Sequence, residues 1–275
     1  MIKKILLILF IPLVIFTQTV KAAKVDTVTT YSSAMQKKIK AVVITPDSYA
    51  QKKLPVVYLL HGAGGNYADW IKSAPEITAM ADQYQQIIVC PDGNVTSWYF
   101  DSPVNSAWKY ETYITAELIP YIDANYKTIK NRTGRAITGL SMGGHGALYL
   151  AIKHQDLFGA AGSMSGGVDI RPFPKSWKIE EKLGSYAENP QNWEKNTVIN
   201  MLHLLTPNAI ALITDCGTED FFYKVNVNLH EKMLERNIAH DFISRPGTHN
   251  WDYWKNAISY QLLFINNYFK QHKSN

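Results

Sequence analysis

Short apolar runs rich in β-branched residues alternate along this chain with longer stretches of helical period, the pattern of a mostly parallel sheet with helices on both faces. The opening segments 25–33 and 38–45 alternate apolar and polar positions, as a half-exposed antiparallel hairpin does. Six further runs read as buried strands: Val56-Val57-Tyr58-Leu59-Leu60, Ile87-Ile88-Val89, Ala136-Ile137-Thr138, residues 159–164, residues 210–214 and Asp241-Phe242-Ile243. Helices are expected at about 67–83, 108–124, 143–154, 222–237 and 250–270. In the last of these Trp254, Ile258, Leu262, Ile265 and Phe269 recur at three- and four-residue spacing, so Trp254 reads as core. Residues 168–206 break the alternation with Pro172, Pro174, Trp177, Pro190 and Trp193. They read as an insertion over the C-terminal edge of the sheet, where substrate loops of such folds belong.

The first 22 residues stand apart from this domain. Lys3 and Lys4 precede an apolar run from Ile5 to Phe16, and Val20-Lys21-Ala22 places small or apolar residues at the positions a signal peptidase reads. Pro12 interrupts the run and Thr17-Gln18-Thr19 ends it, short of the about 20 residues a membrane span needs. Residues 1–22 are therefore expected to be a signal peptide cleaved before Ala23. The expected product is an exported chain, periplasmic or secreted, with residues 23–275 as one domain and no stable membrane insertion. Cleavage removes three lysines and no acid, lowering the formal charge from +5 to +2. No Lys/Arg cluster is left to argue for nucleic acid or an anionic surface.

Cys90 and Cys216 each close an apolar run and are expected to be free, buried thiols, since two strand ends bond only when adjacent and well oriented. Neither has a His or Cys at zinc-ligand spacing. No metal and no cofactor are implied.

Gly139-Leu140-Ser141-Met142-Gly143 is a G-x-S-x-G sequence that follows an expected strand and opens an expected helix. That context makes it a nucleophile elbow, a turn so sharp that only glycine fits at 139 and 143. Ser141 becomes the candidate nucleophile, and the Met142 N–H, at a helix N-terminus, points toward a developing oxyanion. Gly144 and Gly146 are expected to let the helix pack closely on the sheet. His61-Gly62-Ala63-Gly64-Gly65 directly follows the strand 56–60, which makes the Ala63 N–H the candidate second oxyanion donor. His61 reads as a residue that organises this loop.

The partners of Ser141 should lie after the later strands. Asp215-Cys216-Gly217-Thr218-Glu219-Asp220 offers three carboxylates. Asp220, beyond the Gly217 turn, can reach back to an imidazole; Glu219 is the second choice and Asp215 reads as structural. His249, between the last strand and the last helix, is placed as the general base, whereas His145, on the elbow helix, reads as packing. The order Ser141, Asp220, His249 matches the α/β-hydrolase fold and neither the chymotrypsin nor the subtilisin order.

The same motifs, with Pro91-Asp92-Gly93, Ser97-Trp98-Tyr99, Glu117-Leu118-Ile119-Pro120-Tyr121-Ile122 and His249-x-Trp251, resemble the esterase D superfamily over nearly all of residues 35–270. That group includes the carbohydrate esterase family one feruloyl and acetylxylan esterases, tributyrin-type esterases, S-formylglutathione hydrolases and mycolyltransferases. The resemblance implies the triad and oxyanion donors just named and an ester substrate, small-molecule or oligosaccharide; it leaves oligomeric state open. Trp98, Tyr99 and Phe100 follow a strand's C-terminal end, so Trp98 and Tyr99, with Trp251, are expected to contact substrate. Feruloyl or acetyl esters of carbohydrate are the expected substrates. A short-acyl carboxylesterase, an acyltransferase to a sugar and a non-catalytic carbohydrate-binding protein on the same scaffold stand as alternatives.

Overall fold

A computed structural model describes residues 23–272; the expected leader, 1–22, lies outside the described residues. Eight strands form one sheet: β1 (Lys24–Ser32), β2 (Lys37–Thr45), β3 (Val56–Leu60), β4 (Ile87–Pro91), β5 (Arg135–Gly139), β6 (Ala160–Met164), β7 (Ala211–Gly217) and β8 (Asp241–Arg245). Their spatial order is β1-β2-β4-β3-β5-β6-β7-β8. β1, β2 and β4 pair antiparallel, and every later pair is parallel. This is the α/β-hydrolase arrangement.

The helices are α1 (Asp69–Ser73), α2 (Ile77–Tyr84), α3 (Tyr110–Thr112), α4 (Ile119–Asn125), α5 (Met142–Lys153), α6 (Glu180–Leu183), α7 (Pro190–Lys195), α8 (Tyr223–Glu235) and α9 (Trp251–Gln271). α4, α5 and α8 pack on one face of the sheet. α1, α2 and α9 pack on the other. The central strands β3, β4, β5 and β6 are buried along their whole length, because helices cover both faces.

Three local differences from the sequence pattern have simple causes. The helix expected over 67–83 is two helices, since Pro75 has no N–H to donate and pushes Ala74 out of the helical region, to φ −135° and ψ 60°. Near Pro120 the missing donor is absorbed by a π-helical stretch, Tyr113–Leu118, between α3 and α4. β8 is half exposed where a buried strand was expected, because it is the edge strand with β7 as its one neighbour.

Cys90 and Cys216 are free and buried. They sit on β4 and β7, with three strands between, so no bond between them is possible. Residues 168–206 hold α6, α7 and short 3-10 turns. The buried Lys182 ties this stretch to the loop after β4, its Nζ donating to Thr96 Oγ1 at 3.1 Å and lying 4.3 Å from the Trp108 ring centre. Arg171 clamps it from the other side, bonding Asp169 at 2.7 Å and Glu194 at 3.1 Å. No helix among the described residues is long and apolar enough to cross a membrane.

Candidate active site

β5 runs into α5 through a sharp turn at Leu140 and Ser141. A Cβ on Gly139 would stand 2.6 Å from the Gly143 carbonyl oxygen, and one on Gly143 would stand 2.6 Å from the carbonyl oxygens of Leu60 and His61. No other residue fits at either position. Between them Ser141 takes φ 55° and ψ −117°, a strained backbone for a residue with a Cβ. The strain is held by Ser141 N–H donating to Met164 O at 2.9 Å and Gly143 N–H donating to Leu140 O at 2.7 Å. Gly144 does sit close to the sheet, against Ser163 of β6, but Gly146 makes room for the Tyr99 ring and not for a strand.

The turn presents the Ser141 hydroxyl to His249, whose Nε2 is 2.9 Å from Ser141 Oγ. Nδ1 of the same ring is 2.8 Å from Asp220 Oδ2. The ionised carboxylate can only accept, so Nδ1 carries the proton and Nε2 offers its lone pair to the serine hydroxyl. Asp220 has no side-chain exposure, and its other oxygen accepts the Phe222 N–H at 2.8 Å. The imidazole is packed between Phe221, with ring centres 4.2 Å apart, and the edge of Trp254 at 4.9 Å.

The three carboxylates of this loop are sorted by their partners. Asp215 is engaged by Arg245 at 2.8 Å and by the Tyr253 hydroxyl; burial pushes its carboxyl up, while both partners pull it back. Glu219 lies at the surface and borders a separate hollow with Thr248 and Asn250. Asp220 alone reaches the imidazole. The acid loop and the histidine loop are bonded together, Thr218 N–H to Arg245 O at 2.9 Å and Glu219 N–H to Gly247 O at 3.0 Å.

On the other side of Ser141, the loop after β3 is organised by His61. Its Nε2 accepts the Gly93 N–H at 2.8 Å, so Nδ1 holds the proton and donates it to Gly62 O at 2.8 Å. Burial keeps this ring neutral. The Tyr99 hydroxyl donates to the His61 carbonyl at 3.2 Å. The Ala63 and Met142 N–H groups, on either side of Ser141, bond to no acceptor among the described residues. Two free donors beside a serine hydroxyl can receive an oxyanion.

A model of the Esterase family matches residues 32–265. The chain belongs to the Esterase family. It is 38% identical over 134 residues to the esterase MT1326 of Mycobacterium tuberculosis, covering 47% of this chain and 29% of that protein. The chain thus matches under a third of that relative's length. It is 30% identical over 246 residues to the diacylglycerol acyltransferase/mycolyltransferase Ag85B of Mycobacterium leprae, covering 73% of this chain and 72% of that one. Among solved structures, a ferulic acid esterase superposes with a TM-score of 0.77 at 30% identity, covering 90% of this chain and 99% of that chain.

In this Esterase family member the serine opens into a cavity of about 290 Å³ whose wall holds Trp177, Phe221, Trp251 and Trp254 with Ala63, Ser141 and His249. Trp177 and Phe221 stack at 5.8 Å and 22°. Phe221 is 53% exposed. Trp251 lies in this wall, but Trp98 and Tyr99 do not, and the expectation that they contact substrate is corrected. Trp98 is 1% exposed and Tyr99 0%. Both adopt left-handed backbone, at φ 55° and 60°, which turns them beneath the loop. Trp98 packs on His145 at 5.4 Å and on Trp177 at 5.8 Å, one layer behind the cavity, and Tyr99 holds the oxyanion loop from below. Sequence reading missed Trp177 and Phe221, although the first lies in the proline-rich stretch and the second is the neighbour of Asp220. Trp254 joins the core and still shows one edge to the cavity.

Trp98→Ala is accordingly expected to lower unfolding stability by about 3 kcal/mol or more and to weaken turnover of small and large esters alike. Urea denaturation checks this; an unchanged midpoint would place Trp98 outside the core.

A second hollow, of about 280 Å³, lies among Leu202, Leu212, Arg236 and Ile238, at the N-terminal ends of β7 and β8, the end of the sheet opposite Ser141. Among the described residues no group of three or more His, Cys, Asp or Glu side chains is placed to hold a metal ion.

Proposed function

We propose that the chain is an exported serine carboxylic ester hydrolase working through an acyl-enzyme on Ser141, with feruloyl or acetyl esters of carbohydrate as substrates. The observation that carries the reading is the hydrogen-bonded line from Ser141 Oγ through His249 to the buried Asp220, flanked by the free N–H groups of Ala63 and Met142. Ser141 Oγ attacks the ester carbonyl carbon while its proton passes to His249 Nε2, and Asp220 holds the imidazolium that forms. The carbonyl oxygen, now negative, takes the two N–H groups. As the tetrahedral centre collapses, the C–O bond to the alcohol breaks and the alcohol leaves with the proton from Nε2. Water repeats the sequence on the acyl-enzyme, releases the acid and restores the serine.

The carbohydrate and feruloyl part of the reading is supported by the aromatic wall, since sugar rings and hydroxycinnamates both present flat faces that such side chains cover. The ferulic acid esterase similarity points the same way. Export is supported by Lys3, Lys4 and the apolar run after them. The mycolyltransferase relative favours a second reading, transfer of the acyl group to a sugar hydroxyl in place of water.

A panel of acetyl, butyryl and feruloyl esters on protein lacking residues 1–22, repeated with Trp177→Ala, tests the substrate class. The variant is expected to lose about tenfold in kcat/KM on methyl ferulate, with a smaller loss on p-nitrophenyl acetate, which touches little of the wall. Equal losses on both would remove Trp177 from substrate contact. Absence of turnover on any esterified glycan would return the chain to a plain short-acyl esterase.

A further inference from the structure

One charged side chain in the cavity wall has no part in the acyl-transfer steps. Asp69, in the first turn of α1, lines the same cavity as Ser141 and His249. Among the described residues no Lys, Arg or His lies within ion-pairing distance of its carboxylate. The carboxylate is turned toward the oxyanion loop: a Cβ on Gly65 would stand 2.1 Å from Asp69 Oδ2 and 3.0 Å from His61 Nδ1. Glycine at 65 leaves the space in which it sits. His61 does not neutralise it, because that ring is held neutral with its Nδ1 proton committed to Gly62 O.

The other side chains facing the cavity are uncharged aromatics, leucine, alanine and serine, together with His249, and Asp220 is hidden behind the imidazole. A single anionic group therefore sets the potential inside a hollow with apolar walls, where field lines are focused. An unpaired carboxylate there opposes the negative charge that develops on the carbonyl oxygen, so it costs the reaction something unless the substrate uses it. A carboxylate can only accept hydrogen bonds, and its strongest uncharged partners are hydroxyl groups. Of the two halves of the ester, an acetyl group has no hydroxyl and a feruloyl group a single phenol. A sugar or glycerol has several on neighbouring carbons, placed to bridge both oxygens.

We propose that Asp69 binds the alcohol half of the ester, its carboxylate accepting hydrogen bonds from the hydroxyls of a neutral polyol and repelling an anionic group at the same place. The proposal rests on the esterase reading above and deepens it. It also accounts for departure of the product, because the acid released by hydrolysis is a carboxylate leaving a hollow of like charge.

The test holds the acyl group constant and varies the alcohol: ethyl acetate, glycerol monoacetate, an acetylated xylo-oligosaccharide and acetylcholine, with wild type, Asp69→Asn and Asp69→Ser. Both variants are expected to lose about tenfold or more in kcat/KM on the glycerol and sugar esters relative to ethyl acetate, mainly through KM. Both should be inhibited by free acetate at lower concentration than wild type. An equal loss across all four esters, with unchanged acetate inhibition, would make Asp69 structural and overturn the proposal. A loss concentrated on acetylcholine would overturn it in favour of a cationic alcohol. Wild-type protein that hydrolyses none of the four fails the esterase reading itself, an outcome distinct from a uniform loss in the variants.

Discussion

Ser141→Ala is expected to fold like the parent and to lose ester hydrolysis by about four orders of magnitude or more. The fold should survive because the substitution deletes one oxygen whose hydrogen-bond partner among the described residues is His249 Nε2. Alanine has the same Cβ as serine, so the strained φ of 55° is no worse for it, and the backbone bond from position 141 to Met164 O is untouched. Activity should not survive, because Ser141 Oγ is the one atom placed to form the acyl-enzyme, and the oxyanion donors and binding alone retain only a small fraction of the rate. Measuring kcat/KM on a small ester beside the urea midpoint separates the two effects. Turnover within tenfold of wild type, with the fold intact, would end the serine mechanism.

Asp220→Asn is expected to be nearly as severe, at about 10⁴-fold in kcat, while Glu219→Gln should stay within a few fold. The reason is the direction of one proton. Asp220 Oδ2 accepts from His249 Nδ1, which leaves Nε2 unprotonated toward the serine. An asparagine can keep the Phe222 N–H bond with its carbonyl oxygen, and it then turns its NH₂ toward Nδ1. The imidazole answers by moving its proton to Nε2, where it faces Ser141 Oγ and can no longer take the hydroxyl proton. Geometry is preserved and the base is lost. Glu219 has no such contact, since it sits on the outer side of the loop. A larger loss from Glu219→Gln than from Asp220→Asn would transfer the acid's role.

How far each of these residues could be read before folding depends on how local its constraint is. The elbow is a matter of five consecutive residues, whose glycines keep Cβ atoms clear of the Gly143 carbonyl oxygen in the turn itself and of the Leu60 and His61 carbonyl oxygens at the end of the neighbouring strand β3. Strand, turn and helix follow one another in the chain, so the whole device is visible along it. Asp220 and His249 were legible only as the right residue types in the right loops. Asp220 was preferred to Asp215 from its place beyond the Gly217 turn; what holds Asp215 away from the imidazole, Arg245 of β8 and Tyr253 of α9, lies 30 and 38 residues away in sequence and was not visible.

Of the aromatic wall of the cavity, Trp251 was legible and the rest was not. Trp98 and Tyr99 stand in a loop at a strand's C-terminal end, the place where substrate residues are found, yet the flat faces of Gly146 and Gly167 receive their rings and bury them. Trp177 and Phe221, 44 residues apart in the numbering, stack only because residues 168–206 fold back over the sheet edge. Asp69 looks like an ordinary acidic residue opening a helix. Hydrophobic period, the elbow and the chain order of three residue types determine by themselves that this is an α/β-hydrolase with a serine at its edge, because the first two follow from short-range backbone sterics and burial and the third is read directly along the chain. Which aromatics besides Trp251 line the cavity, what holds Asp215 away from the imidazole and which charge faces the cavity were decided by tertiary structure alone, because a side chain's surroundings are set by segments that meet only when the sheet has closed.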